Sequence, residues 1–424
     1  MATKHTTTTV EYDPGFVSNR LRAVWYGFLA VLLGIGAYAM WLRIDGGMAT
    51  TNLTSVTPWG AWVAFYIYFV GLSAGAFLVS TLANVFEMSG MHRIDRDALF
   101  AAIISMAVAL MFVWTDLGRM DRMYFPFLHR QLTSALAWEV HAYVAYIAVL
   151  ITELYLSMRI DLARVAAHDD GWRGRLCGLM TLGRRGTDEA ARATDRRWLK
   201  RVGTLGIPLA IFLVHGGTGV LFAVAKARPY WNSGLFPIIF VISAVVSGTA
   251  LVSMLYVLRT RLFDGELVDP NLLERLGSLV VAFIITDIAL TAIDALIALA
   301  SLHPHEVETW DIVLFGEMSW SFWLFMVGLG WLFPLAVLSK RSWRRRPWPV
   351  VIASLSVVIG IIAVRFNIVV PPQILPVMNG LPHGSYFPTA VEWLTSVGMI
   401  AVGLLLYTLG AEFLPLTPLE GDHE

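Results

Sequence analysis

Ten long apolar runs govern what this chain can become. They lie near residues 22–42, 59–86, 98–116, 137–158, 202–224, 235–258, 276–300, 317–339, 348–365 and 390–413. Each is close to the roughly 20 apolar residues that a helix needs to cross a hydrocarbon core. In lipid every backbone N–H and C=O must be satisfied internally, and a continuous apolar run does this as a helix. The expected fold is therefore all-α: a polytopic integral membrane protein of about ten transmembrane helices. Only 15% of the residues are charged and the mean hydropathy is +0.65, which excludes an ordinary soluble domain. The N-terminal MATKHTTTTVEYDPGF is polar and does not read as a cleavable signal peptide, so the first run is expected to stay as an anchor.

Basic residues set the expected orientation. With the N-terminus inside, 24 of the 31 Lys and Arg fall on the inner side, counting Arg22 with the tail, and 11 of them lie in 159–201. The outer stretch 303–316 has no Lys or Arg and instead carries His303, His305, Glu306, Glu308 and Asp311. Both termini are expected to be cytoplasmic. The basic segment 159–201 reads as a solvated linker or headgroup-facing hairpin, with a docking site for a cytoplasmic partner as the other reading. The outer loops 43–58, 117–136, 225–234, 301–316 and 366–389 are rich in Pro, Trp, Tyr, Phe and His, and the outer face is the expected partner surface.

Composition also narrows the chemistry. A single cysteine, Cys177, cannot ligate an iron–sulfur cluster of the chain's own, and no C-x-x-C-H is present for a covalent c-type haem. The formal net charge is zero, so no nucleic-acid partner is expected.

Ionisable residues inside apolar helices are costly unless they are buried, wetted or functional. Several cluster between Val113 and Tyr146, a stretch that reads as the lip of a redox-active quinone pocket. Glu139, Tyr143, Tyr146, Leu150 and Glu153 follow one another at helical spacing on one face. A substrate-binding acid at the outer end with a proton relay below is one reading; polar glue between helices is the other. Asp116 and Arg119 have i, i+3 spacing and are expected to pair at the end of the third span, either structurally or to shape the pocket. His215 lies in IPLAIFLVHGGTGVLF, where Gly216, Gly217 and Gly219 leave room for close packing or for a planar ring. Histidine can both hydrogen-bond a carbonyl and exchange a proton near neutrality. Asp287, Thr291 and Asp294 share a face of the seventh span and suggest a proton or ion path, or helix–helix hydrogen bonding; Asn84 and Glu87 could continue such a path. Arg365, near the outer end of the ninth span, is expected to snorkel to the interface or to bind an anion or carboxylate.

Pro58-Trp59-Gly60 opening the second span, Gly71 and Gly75 along it, and Asp116-Leu117-Gly118-Arg119 after the third resemble the NrfD/PsrC family. These are the quinone-interacting membrane subunits of complex iron–sulfur molybdoenzymes and related hydrogenases. The ten-span layout, Glu139, His215, and Tyr386-Phe387-Pro388-Thr389 with Glu392 are most similar to the longer branch. That branch includes the hydrogenase-2 type subunit and the membrane subunits of alternative complex III.

The resemblance implies two four-helix bundles plus flanking helices, no haem or iron–sulfur cluster in this chain, and a quinone pocket (menaquinone or ubiquinone) near the outer face. It also implies a ferredoxin-like [4Fe–4S] partner on that face, a catalytic molybdopterin or nickel–iron subunit, and residence in a prokaryotic inner membrane. The expected quinone-binding residues are His215, Glu139, Asp116, Arg119, Tyr143 and, second in rank, His141; the expected proton path is Glu153, Asp287, Asp294 and Asn84. The expected division is a tail 1–21, a first bundle 22–158, the basic loop 159–201, a second bundle 202–339, spans nine and ten over 340–413, and a tail 414–424. Two alternatives stay open: a b-type cytochrome subunit, which needs facing histidines and has only His141 and His215 within spans, and an ion-coupled secondary transporter built as an inverted repeat.

Overall fold

The computed structural model describes residues 16–418 apart from 89, 132 and 379. Residues 1–15 and 419–424 of the two expected tails lie outside the described residues. Among the described residues all regular structure is helical. Ten helices among these residues are long and apolar enough to cross a membrane: α1 (Asn19–Thr50), α2 (Ala61–Asn84), α3 (Asp95–Asp116), α4 (Ala135–His168), α5 (Glu189–Ala223), α6 (Phe236–Asp264), α7 (Pro270–Ser301), α8 (Ser321–Leu338), α9 (Pro347–Ile374) and α10 (Ala390–Phe413). The all-α, ten-helix expectation is met.

The helices pack as two groups of four. Helices α2 to α5 surround one another, α6 to α9 do the same, and the groups join where α2 lies against α6 and α9. Helix α1 pairs with α10, and α10 rests on α3 at the flank. The grouping therefore runs one helix later than 22–158 and 202–339 would place it. The burial of each helix follows from its place: 89% of the apolar window of α2 is buried, against 17% for α1 and α7. The α2–α6 contact is backbone to backbone. A Cβ on Gly75 would lie 1.9 Å from the Ala244 carbonyl oxygen, and one on Gly248 would lie 2.2 Å from the Gly75 carbonyl carbon. Small residues let membrane helices approach this closely, where dispersion contacts replace the missing hydrophobic driving force.

The stretch 159–201, expected as a linker or hairpin, is helical over most of its length. Helix α4 runs on to His168, a short helix spans Trp172–Met180, and α5 begins at Glu189. Buried ion pairs explain this extension. Asp161 is fully buried and receives Arg96 at 2.7 Å and Arg164 at 3.1 Å; Arg159 pairs with Asp195, which also takes Arg184 at 3.1 Å. Much of the local charge is thus used to lock α3, α4 and α5 together, not only to orient the chain.

Helix α5 carries one irregularity that bears on function. Pro208 supplies no N–H to the helical ladder, and the following Leu209–His215 forms a π-helical stretch. Such wide turns reposition the side chains at their ends, and His215 is the last residue of this one.

Candidate functional site

Glu139 lies near the N-terminal end of α4, among α2, α4 and α5. It is 2% exposed, and its Oε1 accepts three hydrogen bonds: from Tyr66 OH on α2 at 2.8 Å, from Tyr143 OH at 2.5 Å and from Thr218 Oγ1 on α5 at 2.5 Å. The Tyr66 and Tyr143 hydroxyls are 2.8 Å apart. The second oxygen, Oε2, is buried and has no hydrogen-bond partner. The stripe read from the sequence is indeed an inward face, since Glu139, Tyr143, Tyr146, Leu150 and Glu153 are all buried. Two of the three donors to Glu139, Tyr66 and Thr218, lie on other helices and are not legible from α4 alone.

His215 stands one turn from Thr218, buried against Phe240 with ring centroids 5.4 Å apart. Its Nε2 is 3.4 Å from Arg365 Nη2, and its Nδ1 has no hydrogen-bond partner. Gly71 creates the space for this pair, because a Cβ there would lie 3.1 Å from His215 Cε1 and 3.4 Å from Arg365 Nη2. The expectation that Arg365 snorkels is overturned. Its side chain is fully buried, donates to Ser243 Oγ at 3.1 Å and sits 4.7 Å from the centre of the Phe240 ring. Arg365 Nε and Nη1 have no hydrogen-bond partner. Neighbouring segments cover it: Trp231 Nε1 donates to Ile368 O at 2.7 Å, and Gln373 clasps Trp59 through both backbone groups at 3.0 and 2.9 Å.

Other expected residues are placed differently. Asp116 and Arg119 do not pair. Helix α3 ends at Asp116 and Leu117 is extended, so the i, i+3 relation is lost; Arg119 turns out to solvent and pairs with Asp121 at 2.9 Å. Asp116 instead lies in the electrostatic field of Arg43 and Glu392. His141 points away from the Glu139 stripe, its Nδ1 2.7 Å from Ala137 O and its ring 5.4 Å from that of Phe127. Since His215 faces Gly71, Phe240 and Arg365, the two in-span histidines do not face each other as a b-type haem pair requires.

The other carboxylates lie apart from one another, with Glu153 and Asp287 buried and Asp294 partly buried. Asp287 accepts from Trp331 Nε1 at 3.0 Å, and Asp294 from Ser233 Oγ at 3.1 Å beside a small cavity shared with Tyr230, Thr291 and Asn367. Glu153, on the basic side of α4, has neither carboxylate oxygen hydrogen-bonded, and both lie 3.4 Å from where a Gly203 Cβ would be. Asn84 Nδ2 is likewise buried and unpartnered.

The short motifs that precede α2 and α10 meet in the structure. Ala61 N–H, just after Pro58-Trp59-Gly60, donates to Tyr386 OH at 2.7 Å, and Tyr386 donates to Glu392 at 2.5 Å. Thr389 and Glu392 form a capping box that starts α10. Burial and the neighbouring Glu392 charge hold the Tyr386 phenol above its usual range, so it remains a donor. Its ring borders an apolar cavity of about 250 Å³ walled by Phe65, Phe325, Phe366 and Trp393.

The family described as Polysulphide reductase, NrfD matches residues 49–377, which span both four-helix groups and leave most of α1 and all of α10 outside. A selenate reductase subunit of Mesobacillus selenatarsenatis is 36% identical, over 93% of this chain and 95% of its own length. A putative dimethyl sulfoxide reductase membrane subunit of Halobacterium salinarum is 29% identical, over 92% and 91%. The Hdr-like menaquinol oxidoreductase integral membrane subunit of Archaeoglobus fulgidus is 26% identical, over 92% of each chain. Two of these relatives are named as membrane subunits, and all three align across nearly the whole ten-helix fold. The chain is a multi-pass membrane protein that belongs to the NrfD family.

Proposed function

We propose that this chain is the quinone-exchanging membrane subunit of a respiratory reductase complex, working with quinol at the outer half of α2–α5. The observation that carries the reading is the buried Glu139. Three hydroxyl donors hold Oε1, and Oε2 is left without a partner in a place where an unsatisfied acceptor is costly. A quinol hydroxyl suits such an acceptor. The name of the Archaeoglobus relative, a menaquinol oxidoreductase subunit, points the same way, and the reductase names of the other two favour quinol oxidation.

Quinol supplies two electrons and two protons when it is oxidised. Glu139 Oε2 accepts one hydroxyl proton, while Tyr66, Tyr143 and Thr218 keep the carboxylate oriented. His215, with Arg365 holding its ring, donates from Nδ1 to the other quinol oxygen, and the second hydroxyl proton also leaves through Glu139 once the first has passed on. The chain has no electron path of its own in this reading. A ferredoxin-like [4Fe–4S] subunit on the outer face takes the electrons on to a catalytic molybdopterin or nickel–iron subunit. Glu153 and Asn84 toward the basic side, and Asp287 and Asp294 in the second group, are the proposed route for protons between the faces. The basic face is cytoplasmic by the positive-inside rule, in a prokaryotic inner membrane.

The test is quinol-linked turnover of the membrane complex carrying Glu139→Gln or His215→Ala. Removing a positioned acid–base group costs about 10²- to 10⁴-fold. The reading requires that loss with assembly intact and with turnover from an artificial electron donor preserved. Wild-type quinol-linked rates in both variants overturn it.

A further inference from the structure

The short helix Trp172–Met180 between α4 and α5 packs inside out. The residues it turns toward α4 are small: Gly174 and Cys177 are buried, and a Cβ on Gly174 would lie 1.7 Å from the Asp169 carbonyl oxygen. Its outward stripe is apolar, with Trp172 60%, Leu176 39% and Leu179 75% exposed at i, i+4 and i+7. A helix bathed in water presents the opposite pattern.

The turn that follows continues the same face. Leu182 is 75% exposed and is held in the left-handed region at φ 50°, with Gly183 after it at φ 81°. A leucine in that conformation is strained, and the surrounding structure must fix it. Three contacts do so: Tyr155 OH donates to Thr181 O at 3.0 Å, and Arg159 Nη1 donates to Arg184 O at 2.9 Å and Gly186 O at 2.8 Å. These contacts bring the turn back to the level of residues 155–159 on α4, where an apolar run that starts near 137 has used the length of a hydrocarbon core. Trp172, at the other end, lies 5.3 Å from the ring of Phe413 at the last residue of α10. Both ends of the short helix therefore sit at the edge of the spanning region.

Charge decides what covers this face. The segment 159–201 has 11 basic against 6 acidic residues, and two of the acids, Asp161 and Asp195, are buried in ion pairs. Arg175 and Arg185 flank the apolar stripe exposed, with the Arg185 guanidinium lying over Gly178 at 3.8 Å from its would-be Cβ. An apolar stripe flanked by arginines is the pattern of a helix lying in a membrane interface.

We propose that Trp172–Met180 and the Leu182 turn lie in the bilayer interface of the basic side and bind anionic phospholipid headgroups through Arg175 and Arg185. The apolar stripe enters the acyl boundary, and the bilayer takes up the exposed Leu179 and Leu182. Helices α4 and α5 are thereby held at a fixed depth relative to the headgroups.

The test uses the full chain, with whatever partner proteins copurify, in lipid nanodiscs. A fluorophore is placed at Leu179→Cys in a Cys177→Ser background, with Leu182→Cys as the second position. The proposal requires quenching by brominated acyl chains, stronger with phosphatidylglycerol than with phosphatidylcholine. It also requires that Arg175→Gln/Arg185→Gln raise the half-saturating phosphatidylglycerol fraction by roughly fivefold per arginine, the equivalent of about 1 kcal/mol per basic residue at an anionic surface. Quenching by aqueous iodide alone means a solvated hairpin and overturns the proposal. Protection from both quenchers means a protein partner covers the face and also overturns it. Equal quenching in the two lipids removes the headgroup site.

Discussion

Arg365 on α9 and His215 on α5 meet across the two four-helix groups, Nη2 to Nε2 at 3.4 Å. A guanidinium has donors only, so Nε2 must be the acceptor and the ring proton sits on Nδ1. Nδ1 has no hydrogen-bond partner and is the atom left to donate. Arg365 therefore fixes the tautomer as well as the ring position. Arg365→Ala is expected to lower quinol-linked turnover by about 10²-fold, and the double variant with His215→Ala to be no worse than the weaker single one. A double-mutant cycle on turnover measures this; fully additive losses would mean that the two residues act separately.

Gly71 and Gly75 are one turn apart on α2 and are predicted to fail in different ways. At Gly71 an added methyl meets the ends of the His215 and Arg365 side chains at 3.1 and 3.4 Å, which can shift. Gly71→Ala should assemble and lose about tenfold in turnover, at an overpacking cost of about 1–3 kcal/mol. At Gly75 the methyl meets the Ala244 backbone at 1.9 Å, where nothing flexible can yield. Gly75→Ala should separate α2 from α6 and abolish accumulation in the membrane. Immunoblots of membranes beside turnover assays distinguish the two outcomes.

The parts of this architecture that depend on one helix at a time are legible in the sequence. Apolar runs predict the ten spans, and 3.6-residue spacing predicts that Glu139, Tyr143 and Glu153 face inward. What depends on neighbouring helices is not legible. Tyr66 reads as one more aromatic in an apolar run until α4 and α5 bring Glu139 and Thr218 to it. Arg365 reads as interfacial because it lies close to the end of its run, yet α9 continues to Ile374 and the segments around Trp59 and Trp231 fold over it. The Asp116–Arg119 pair fails for a local reason: i, i+3 spacing brings side chains together only while the helix continues, and α3 stops at the first of them.

The hydroxyls around Glu139 should matter unequally. Thr218 also donates toward Val214 O at 2.9 Å, so Thr218→Val removes only a shared bond and leaves both tyrosines on Oε1. Tyr143→Phe removes a donor at 2.5 Å and also breaks the Tyr66–Tyr143 contact at 2.8 Å. Tyr143→Phe is expected to reduce turnover by about tenfold and Thr218→Val by about threefold, since hydrogen bonds to a charged group contribute about 1.5–3 kcal/mol and Thr218 divides its one proton between Glu139 and Val214 O. The reverse order, read from kcat at saturating quinol, would show that Thr218 is the main support of the carboxylate.

Two ion pairs on opposite faces give the last contrast. Arg159 and Asp195 are both buried, and Arg159 also donates to the backbone of Arg184 and Gly186, so this guanidinium ties α4 to the start of α5. Asp195→Ala leaves it without its carboxylate, and breaking a buried pair costs about 3–5 kcal/mol because the remaining charge stays desolvated. The variant should unfold several degrees earlier in detergent and be cleaved by protease near residues 184–189, before any change around Glu139. Arg119 and Asp121 also pair, at 2.9 Å, but both side chains are mostly exposed. Water screens such a pair, and its removal should not register in stability. Arg119→Ala should therefore match the unmodified chain in both melting and quinol-linked turnover, although its position after the third span makes it a natural pocket residue in the sequence. A loss of turnover in Arg119→Ala without a loss of assembly would return it to the proposed quinone site or to the proposed partner surface.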